Sequence, residues 1–244
     1  MDGIGPGGFP IVPALLGALL GLVVGSFLST LIVRWPEGRS LSGRSACDHC
    51  GARLDVRDLI PLLSFAWLGG RCRACGAPIS RLHPAIEAAS ALIGAAALAA
   101  APGAAGWLGA LFGWGVVALA ILDSRHFWLP DRLTLPLLAL GLAAGPAPAR
   151  ERLLAAALAG GGLLLVRFAY QRLRGREGLG LGDVKLGAAI GAWLSPFLLP
   201  PLLLGASLLG ILVAARQPRG GAVPFGACLG VAAWGLWLWS ALQA

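Results

Sequence analysis

The sequence predicts an all-α protein that crosses a membrane about eight times and carries one small polar domain. Three observations predict this class. Apolar residues make up 57% of the 244 residues and charged residues only 12%, with a mean hydropathy of +0.80, whereas soluble domains carry about 25% charged residues. The apolar residues are gathered into segments close to the roughly 20 residues that a spanning helix needs. Lysine and arginine are concentrated in alternate connections between those segments.

The apolar segments define the predicted spans. Those expected to cross as single helices are residues 11–33, 85–101, 106–122, 133–145, 153–170 and 222–242. The run from 184 to 215 is too long for one ordinary span, and Pro196, Pro200 and Pro201 fall near its middle. Because proline interrupts helices, we interpret this run as two short helices joined by a turn. The chain is therefore expected to have eight spans.

The basic residues predict the orientation of these spans. With eight spans and the N-terminus outside, all of the 19 lysines and arginines lie on the inner face except Arg150 and Arg152. This asymmetry follows the positive-inside rule, so topology explains the net charge of +8 and no nucleic-acid partner is expected. Asp2 is the only charged residue before Arg34. Since a cleaved signal peptide has a basic start, the first span is expected to stay in the mature protein.

A polar segment, residues 34–84, separates the first two spans and is predicted to lie in the cytoplasm. It contains two Cys-x-x-Cys pairs, Cys47 with Cys50 and Cys72 with Cys75, and a glycine follows each pair. Four thiolates in this pattern are typical of a tetrahedral Zn²⁺ site, whose closed shell leaves no position for a catalytic water. A pair of disulfides is the alternative, which the reducing cytoplasm disfavours. The pattern therefore predicts a structural zinc site.

Two aspartates lie at the ends of apolar runs. Asp123 ends one run, and Asp183 closes the glycine-rich string 178–183 at the start of another. A carboxylate beside hydrocarbon is costly and marks a candidate functional site. The helix dipole disfavours a charge at the C-terminal position of Asp123, whereas Asp183 has the alternative role of an N-terminal helix acid. Asp131 directly follows a proline at an expected helix start, and the dipole suffices to explain it.

The pattern around these aspartates favours hydrolytic chemistry. Two carboxylates brought together cannot both ionise comfortably, so one is expected to hold a proton while the other stays charged. Such a pair can activate water as a general base and protonate a departing amine as a general acid. Gly180 and Gly182 permit unusual dihedral angles and the close approach of another backbone, which suits a site that holds an extended peptide.

Taken together, these motifs resemble those of the bacterial type IV prepilin peptidases, which are leader peptidases and N-methyltransferases. The resemblance covers nearly the whole chain. It rests on both cysteine pairs, on Asp123 with the Gly-x-Gly-Asp string ending at Asp183, and on residues 24–28, 59–64, 71–75, 129–131, 180–186, 191–194 and 224–226.

The resemblance implies an activity, a location and three domains. It implies that the chain cuts a short basic leader after a glycine, just before the hydrophobic helix of a prepilin or pseudopilin, with Asp123 and Asp183 as the catalytic pair. It also implies N-methylation of the new N-terminus with S-adenosylmethionine, an activity linked to the cytoplasmic loop. The expected location is the bacterial inner membrane, with the active site at its cytoplasmic boundary. The expected domains are a first span (1–33), the metal-binding loop domain (34–84) and a seven-helix peptidase domain (85–244).

Several further residues acquire expected roles from the resemblance. Gly180, Gly182 and Lys185 belong to the motif around the second aspartate. Glu87, at the expected inner start of the second span, is placed to meet a basic leader, although an acid in a first helical turn also has a dipole explanation. The chain departs from the family pattern at Ser29, where asparagine is usual, and at His83, where the usual Arg-Tyr-Pro reads Leu-His-Pro.

Two other functions are weighed against this one. A presenilin-type intramembrane protease would share the aspartate pair, but the cysteine loop separates the chain from that class. A zinc-bearing assembly factor or a proton-coupled transporter would use the same aspartates as proton carriers. Such proteins are expected to place acids near the bilayer midplane rather than at its inner edge.

Overall fold

The computed structural model describes residues 10–217 and 221–244. Asp2 and Arg219, which bear on the predicted orientation, lie outside the described residues. Within these residues the chain is helical apart from loops and two isolated antiparallel bridges. It forms two compact units, of which the first ends at Ala110 and the second begins at Leu111.

Nine α-helices lie within the described ranges. They are α1 (Ile11–Arg34), α2 (Leu63–Trp67), α3 (Leu82–Ala100), α4 (Gly103–His126), α5 (Asp131–Ala144), α6 (Ala149–Arg174), α7 (Leu181–Gly191), α8 (Leu199–Ala215) and α9 (Phe225–Ala241). Short 3-10 helices occupy Val56–Leu59 and Pro196–Leu198. All except α2 correspond to the predicted apolar segments. The run 184–215 forms two helices, as predicted, because the chain breaks after Gly191 and restarts at Pro196.

The helices confirm a multi-pass membrane protein. Five helical segments of the described chain are long and apolar enough to cross a bilayer: Ile11–Arg34, Leu82–Ala100, Gly103–His126, Ala149–Arg174 and Pro196–Ala215. The helices α5, α7 and α9 have 14, 11 and 17 residues. Since these are short for a span of about 20 residues, the number of eight crossings stays a prediction.

Within the first unit, α1 packs closely on α3 through glycines spaced four residues apart. A methyl group built on Gly21 would lie 2.7 Å from the Cα atom of Ala91, and one built on Gly25 would lie 2.7 Å from the Cα atom of Glu87. Small residues at this spacing allow two membrane helices to approach until their backbones touch. The opposite face of α1 carries exposed leucines, valines and Phe27, as expected of a helix bordered by lipid.

Within the second unit, small residues seat the short helix α7 against α6. A methyl group on Gly160 would lie 2.8 Å from the Cβ atom of Ala188. Beyond the end of α7, the buried ring of Trp193 stacks on Phe112 at 5.0 Å and donates a 2.9 Å hydrogen bond to the carbonyl oxygen of Leu137. These contacts fix the position of α7, whose first turn carries Asp183.

Candidate active site

Asp123 and Asp183 converge on Gly226, which lies in the first turn of α9. A methyl group built on Gly226 would lie 3.0 Å from Oδ2 of Asp123 and 3.1 Å from Oδ1 of Asp183. The two carboxylate oxygens are therefore at most about 6 Å apart, a separation that one water can bridge with hydrogen bonds of about 3 Å. The predicted meeting of the two aspartates is present in the structure.

Asp123 is held by the N-terminus of another helix. It lies near the C-terminal end of α4, its side chain is buried, and its Oδ2 accepts a 2.9 Å hydrogen bond from the backbone N–H of Ala227. The first turn of α9 carries unpaired N–H groups and a partial positive charge, which together favour a carboxylate. The dipole of α9 therefore offsets the unfavourable dipole of the helix to which Asp123 belongs.

The two oxygens of Asp183 have different surroundings. Oδ2 accepts a 3.1 Å hydrogen bond from the backbone N–H of Gly180, so Asp183 does serve as an N-terminal acid of α7. Oδ1, beside Gly226, is buried and has no hydrogen-bond partner among the described residues. Helix capping therefore accounts for the position of Oδ2. It does not account for the burial of Oδ1, which faces Asp123.

Within the Gly-x-Gly-Asp string, Gly182 permits close packing. Neither Gly180 nor Gly182 has a positive φ angle, so the expectation of unusual dihedral angles was wrong for both. A methyl group on Gly182 would instead lie 3.0 Å from the Cβ atom of Leu129, and one on Gly226 would lie 2.8 Å from Cδ1 of the same leucine. Leu129 thus forms an apolar wall against which the first turns of α7 and α9 pack.

Lys185 pairs with Asp131 in the structure. Its Nζ atom lies 2.7 and 2.9 Å from the two carboxylate oxygens of Asp131, which is the first residue of α5. The dipole explanation for Asp131 is compatible with this position, and the ion pair adds a second role by joining α5 to α7. Both side chains are substantially exposed, so this pair contributes at most about 1 kcal/mol to stability. A role for Lys185 in substrate binding stays a prediction.

Glu87 lies elsewhere, in the first unit, and its predicted position was partly wrong. Helix α3 begins at Leu82, which places Glu87 in the second turn rather than the first. Its side chain is buried, and its Oε2 accepts a 2.9 Å hydrogen bond from the N–H of Leu62, a residue with a positive φ of 61°. Glu87 therefore holds a strained position of the loop between α1 and α3, and its contact with a basic leader stays a prediction.

The two departures from the family pattern contact each other. The Oγ atom of Ser29, in α1, lies 2.8 Å from Nδ1 of His83, in α3. The same hydroxyl donates to the carbonyl oxygen of Ser26. Because a hydroxyl has one proton to donate, Nδ1 of His83 is the donor to Ser29. The two unusual residues thus form one interhelical hydrogen bond.

The four cysteines of the loop form one cluster. Their sulfur atoms all lie within 4.8 Å of one another, and the Sγ atoms of Cys47 and Cys75 are 4.0 Å apart. Gly51 and Gly76 both have φ of 69°, which supports the prediction that a glycine after each pair permits a tight turn. The cysteines are free, and four thiols at this spacing fit the donor set of a tetrahedral Zn²⁺ ion.

Backbone hydrogen bonds favour the thiolate form of one cysteine in the cluster. The N–H groups of Cys75 and Ala74 lower the pKa of the Cys72 thiol to about 7. The thiolate is the form that binds metal. The turn at residues 72–76 is the second of the two knuckles, the turns formed by the Cys-x-x-Cys pairs. In this knuckle, Arg73 forms an ion pair of 2.7 Å with Asp58 and lowers the pKa of that carboxyl group. The second knuckle is thereby tied to the preceding 3-10 helix.

Sequence reasoning missed three residues that form the site around Asp123 and Asp183. Gly226 and Ala227 provide the close approach and the N–H donor, and the only signal for them was the Pro-Phe-Gly string at 224–226. Arg167, buried in α6, donates hydrogen bonds to the segment that precedes Asp183. The sequence did contain a signal for Arg167, because a single arginine within an apolar run marks a candidate functional residue.

Comparisons with known proteins agree with the motifs. Residues 19–101 match the bacterial Peptidase A24 N-terminal domain, and residues 110–215 match the type IV leader peptidase family. The prepilin leader peptidase/N-methyltransferase of Dickeya chrysanthemi is 43% identical, over 83% of this chain and 82% of that protein. The proteins of the same name from Aeromonas hydrophila and Pseudomonas aeruginosa are 37% and 35% identical, over 95% and 94% of this chain and 92% and 91% of their own lengths. No solved structure matches the chain. The chain belongs to the type IV leader peptidase family.

Proposed function

We propose that this protein removes the basic leader of prepilins or pseudopilins with Asp123 and Asp183 as the catalytic pair, and that it then N-methylates the new N-terminus. The observation that carries the proposal is the approach of two carboxylate oxygens to one point at Gly226. Membership of the leader peptidase family favours this function over a presenilin-type protease and over a transporter. Relatives named for both activities support the second step.

The contacts of the two aspartates support different resting states. Asp123 accepts the N–H of Ala227 at a helix N-terminus, an arrangement that stabilises a carboxylate. Asp183 also accepts one backbone N–H, from Gly180, but only through Oδ2, and its buried Oδ1 receives no hydrogen bond within the described ranges, so a proton is best placed on Oδ1. The proposal therefore places the resting negative charge on Asp123 and the shared proton on Asp183.

The reaction follows from these protonation states. Asp123 takes a proton from a water molecule while the water oxygen attacks the carbonyl carbon of the scissile peptide bond. Asp183 gives its proton to the amide nitrogen as the carbon–nitrogen bond breaks. One water is consumed, and the products are a leader with a free carboxyl group and a pilin with a free amine. Transfer of the remaining proton from Asp123 to Asp183 restores the starting state.

The membrane position supports the same substrate. Asp123 lies near the C-terminal end of a helix that is long enough to cross the bilayer. The distribution of basic residues supports an orientation with that end at the cytoplasmic boundary and the N-terminus of the chain outside. A basic leader stays in the cytoplasm and the apolar pilin helix enters the bilayer, so the bond between them reaches the same boundary. The methyl group of the second step is proposed to come from S-adenosylmethionine as a co-substrate.

The four loop cysteines are proposed to hold a structural zinc ion. Cys47, Cys50, Cys72 and Cys75 would complete a tetrahedral shell, and the ion would cross-link two knuckles that have little other structure. A shell of four thiolates has no open position for water, so the hydrolytic step is assigned to the aspartates alone.

Replacing one of these cysteines is expected to release the metal. The variant Cys47→Ser should carry far less than the one zinc per chain expected of the parent protein, because three thiolates bind less tightly than four. Elemental analysis of the purified protein measures this directly. Cys228→Ala, which removes a buried thiol from α9, is the control and should keep its metal. Unchanged zinc in Cys47→Ser would exclude the four-thiolate site.

The experiment that tests the proposed function identifies the bond that is cut. The protein is purified in detergent and incubated with a prepilin, with and without S-adenosylmethionine, and the products are analysed by intact-mass spectrometry. We expect the leader to be removed after its glycine in both reactions, and the mature pilin to gain the mass of one methyl group only when the methyl donor is present. A cut within the apolar helix would instead indicate a presenilin-type protease, and an uncut substrate would contradict the proposal.

A further inference from the structure

Arg167 is a buried charge in the last third of α6. Only 8% of the residue is exposed, and within the described residues the guanidinium group forms two hydrogen bonds, both with the loop that precedes α7. Nη2 lies 2.7 Å from Oε1 of Glu177, and Nη1 donates a short hydrogen bond to the carbonyl oxygen of Leu179. A charge in such a position is costly unless it is paired. The contacts that compensate this cost lie four and six residues before Asp183.

The peptide group between Leu179 and Gly180 links Arg167 to Asp183. Its carbonyl oxygen accepts the hydrogen bond from Arg167, and its N–H donates the 3.1 Å hydrogen bond to Oδ2 of Asp183. A peptide group is planar, so the group that fixes the oxygen also fixes the direction of the N–H. The orientation of this one plane therefore determines which oxygen of Asp183 faces Gly226.

A neighbouring contact holds the same loop independently. Gly178 packs closely on the ring of Tyr170, one turn after Arg167 in α6, and a methyl group on this glycine would lie 2.9 Å from Cγ of the ring. The loop has no regular secondary structure between Gly175 and Gly180. Side chains of α6 therefore set the path of this loop, because no helix or strand hydrogen bonds hold its backbone.

We propose that Arg167 is a positioning residue for Asp183: through the Leu179–Gly180 peptide it turns Oδ1 of Asp183 toward Asp123. Glu177 neutralises the guanidinium group and keeps it directed at the loop. This inference rests on the proposed function, because it assumes that Asp183 takes part in cleavage.

The test compares cleavage kinetics of Arg167→Gln with those of the parent enzyme. We expect kcat to fall by about 10- to 10²-fold, the usual cost of misplacing a catalytic group, and KM to change little, because Arg167 does not contact the substrate in this account. The limb of the pH–rate profile that reports ionisation of Asp183 should move to higher pH, since loss of an N–H donor disfavours the carboxylate. A purely structural defect would reduce the amount of folded enzyme and leave this limb in place.

Other variants separate the possible outcomes. Arg172→Gln changes an exposed arginine of the same helix and should leave the kinetics unchanged. Arg167→Lys should be faster than Arg167→Gln but slower than the parent enzyme. Its ammonium group can reach one acceptor, but it cannot bond Leu179 and Glu177 together as the planar guanidinium group does. Glu177→Gln keeps the bond to Leu179 and should have a smaller effect than Arg167→Gln. If Arg167→Gln does not fold, Arg167→Lys and Glu177→Gln decide the question through the same pH profile.

The results also distinguish this inference from the proposed function. If Asp183→Asn is inactive while folded Arg167 variants keep the parent kcat and pH profile, the positioning role is wrong and the aspartate pair stands. If Asp183→Asn cleaves normally, the proposed function itself is wrong.

Discussion

The substitution Gly226→Ala is expected to lower leader cleavage by about 10²-fold or more, although it removes no charged or polar group. The added methyl group would lie 3.0 Å from Asp123 Oδ2, 3.1 Å from Asp183 Oδ1 and 2.8 Å from Leu129 Cδ1. It would fill the space between the carboxylates that the attacking water must occupy. The rate is measured with a purified prepilin at equal amounts of folded enzyme.

The control for this substitution is Gly161→Ala in α6. A methyl group on Gly161 meets nothing within 4 Å, so the same chemical change should leave cleavage unaffected. Alanine also has a higher helix propensity than glycine, so this variant should be at least as stable as the parent. Normal cleavage by a folded Gly226→Ala enzyme would show that the space beside Gly226 is not where the reaction occurs.

The helices and the cluster of four cysteines follow from local sequence, which is why both were predictable. Apolar segments of sufficient length can satisfy their backbone groups in lipid only as helices. The cysteine pairs needed only their spacing and the glycines after them, Gly51 and Gly76. In both cases the information lies within a few residues of the structure that it specifies.

The predicted helical turn of Glu87 was wrong because of Pro84. The segment was expected to become helical at residue 85, but α3 begins at Leu82 and contains Pro84 in its first turn. The first N–H groups of a helix have no partner within it, so a proline there loses nothing. The earlier start moves Glu87 to the second turn, where its side chain reaches the N–H of Leu62.

The environment of the aspartates depends on contacts that are distant in the sequence. The hydrogen bond between Ala227 and Asp123 joins residues 104 positions apart. The candidate role of Asp123 and Asp183 was predictable from residue type, since each carboxylate borders an apolar run. The contacts of Gly226 and Arg167 became visible only in the structure, because they depend on the atoms packed beside these residues.

Removal of either carboxylate is expected to abolish leader cleavage. In Asp123→Asn and Asp183→Asn the amide oxygen can still accept the N–H of Ala227 or Gly180, so the helix contacts persist. An amide cannot take up a proton from water or donate an acidic one, so each rate should fall by about 10³-fold. Glu151→Gln, which changes an acid in the first turn of α6, is the control and should cleave normally.

These variants also separate catalysis from capping. If Asp183 served only as the N-terminal acid of α7, asparagine would replace it with little loss, because both residues are good acceptors at helix N-termini. If the two carboxylates act as one unit, removal of the second should cost nothing once the first is gone.

The most direct measurement is therefore the single-turnover rate of leader cleavage by the parent enzyme, both single variants and the double variant Asp123→Asn/Asp183→Asn, at equal amounts of folded protein. The account predicts that each single variant loses about 10³-fold in rate and that the double variant is no slower than either. A single variant that stays within about tenfold of the parent enzyme, or a double variant in which the two losses multiply, would contradict a shared catalytic role for Asp123 and Asp183.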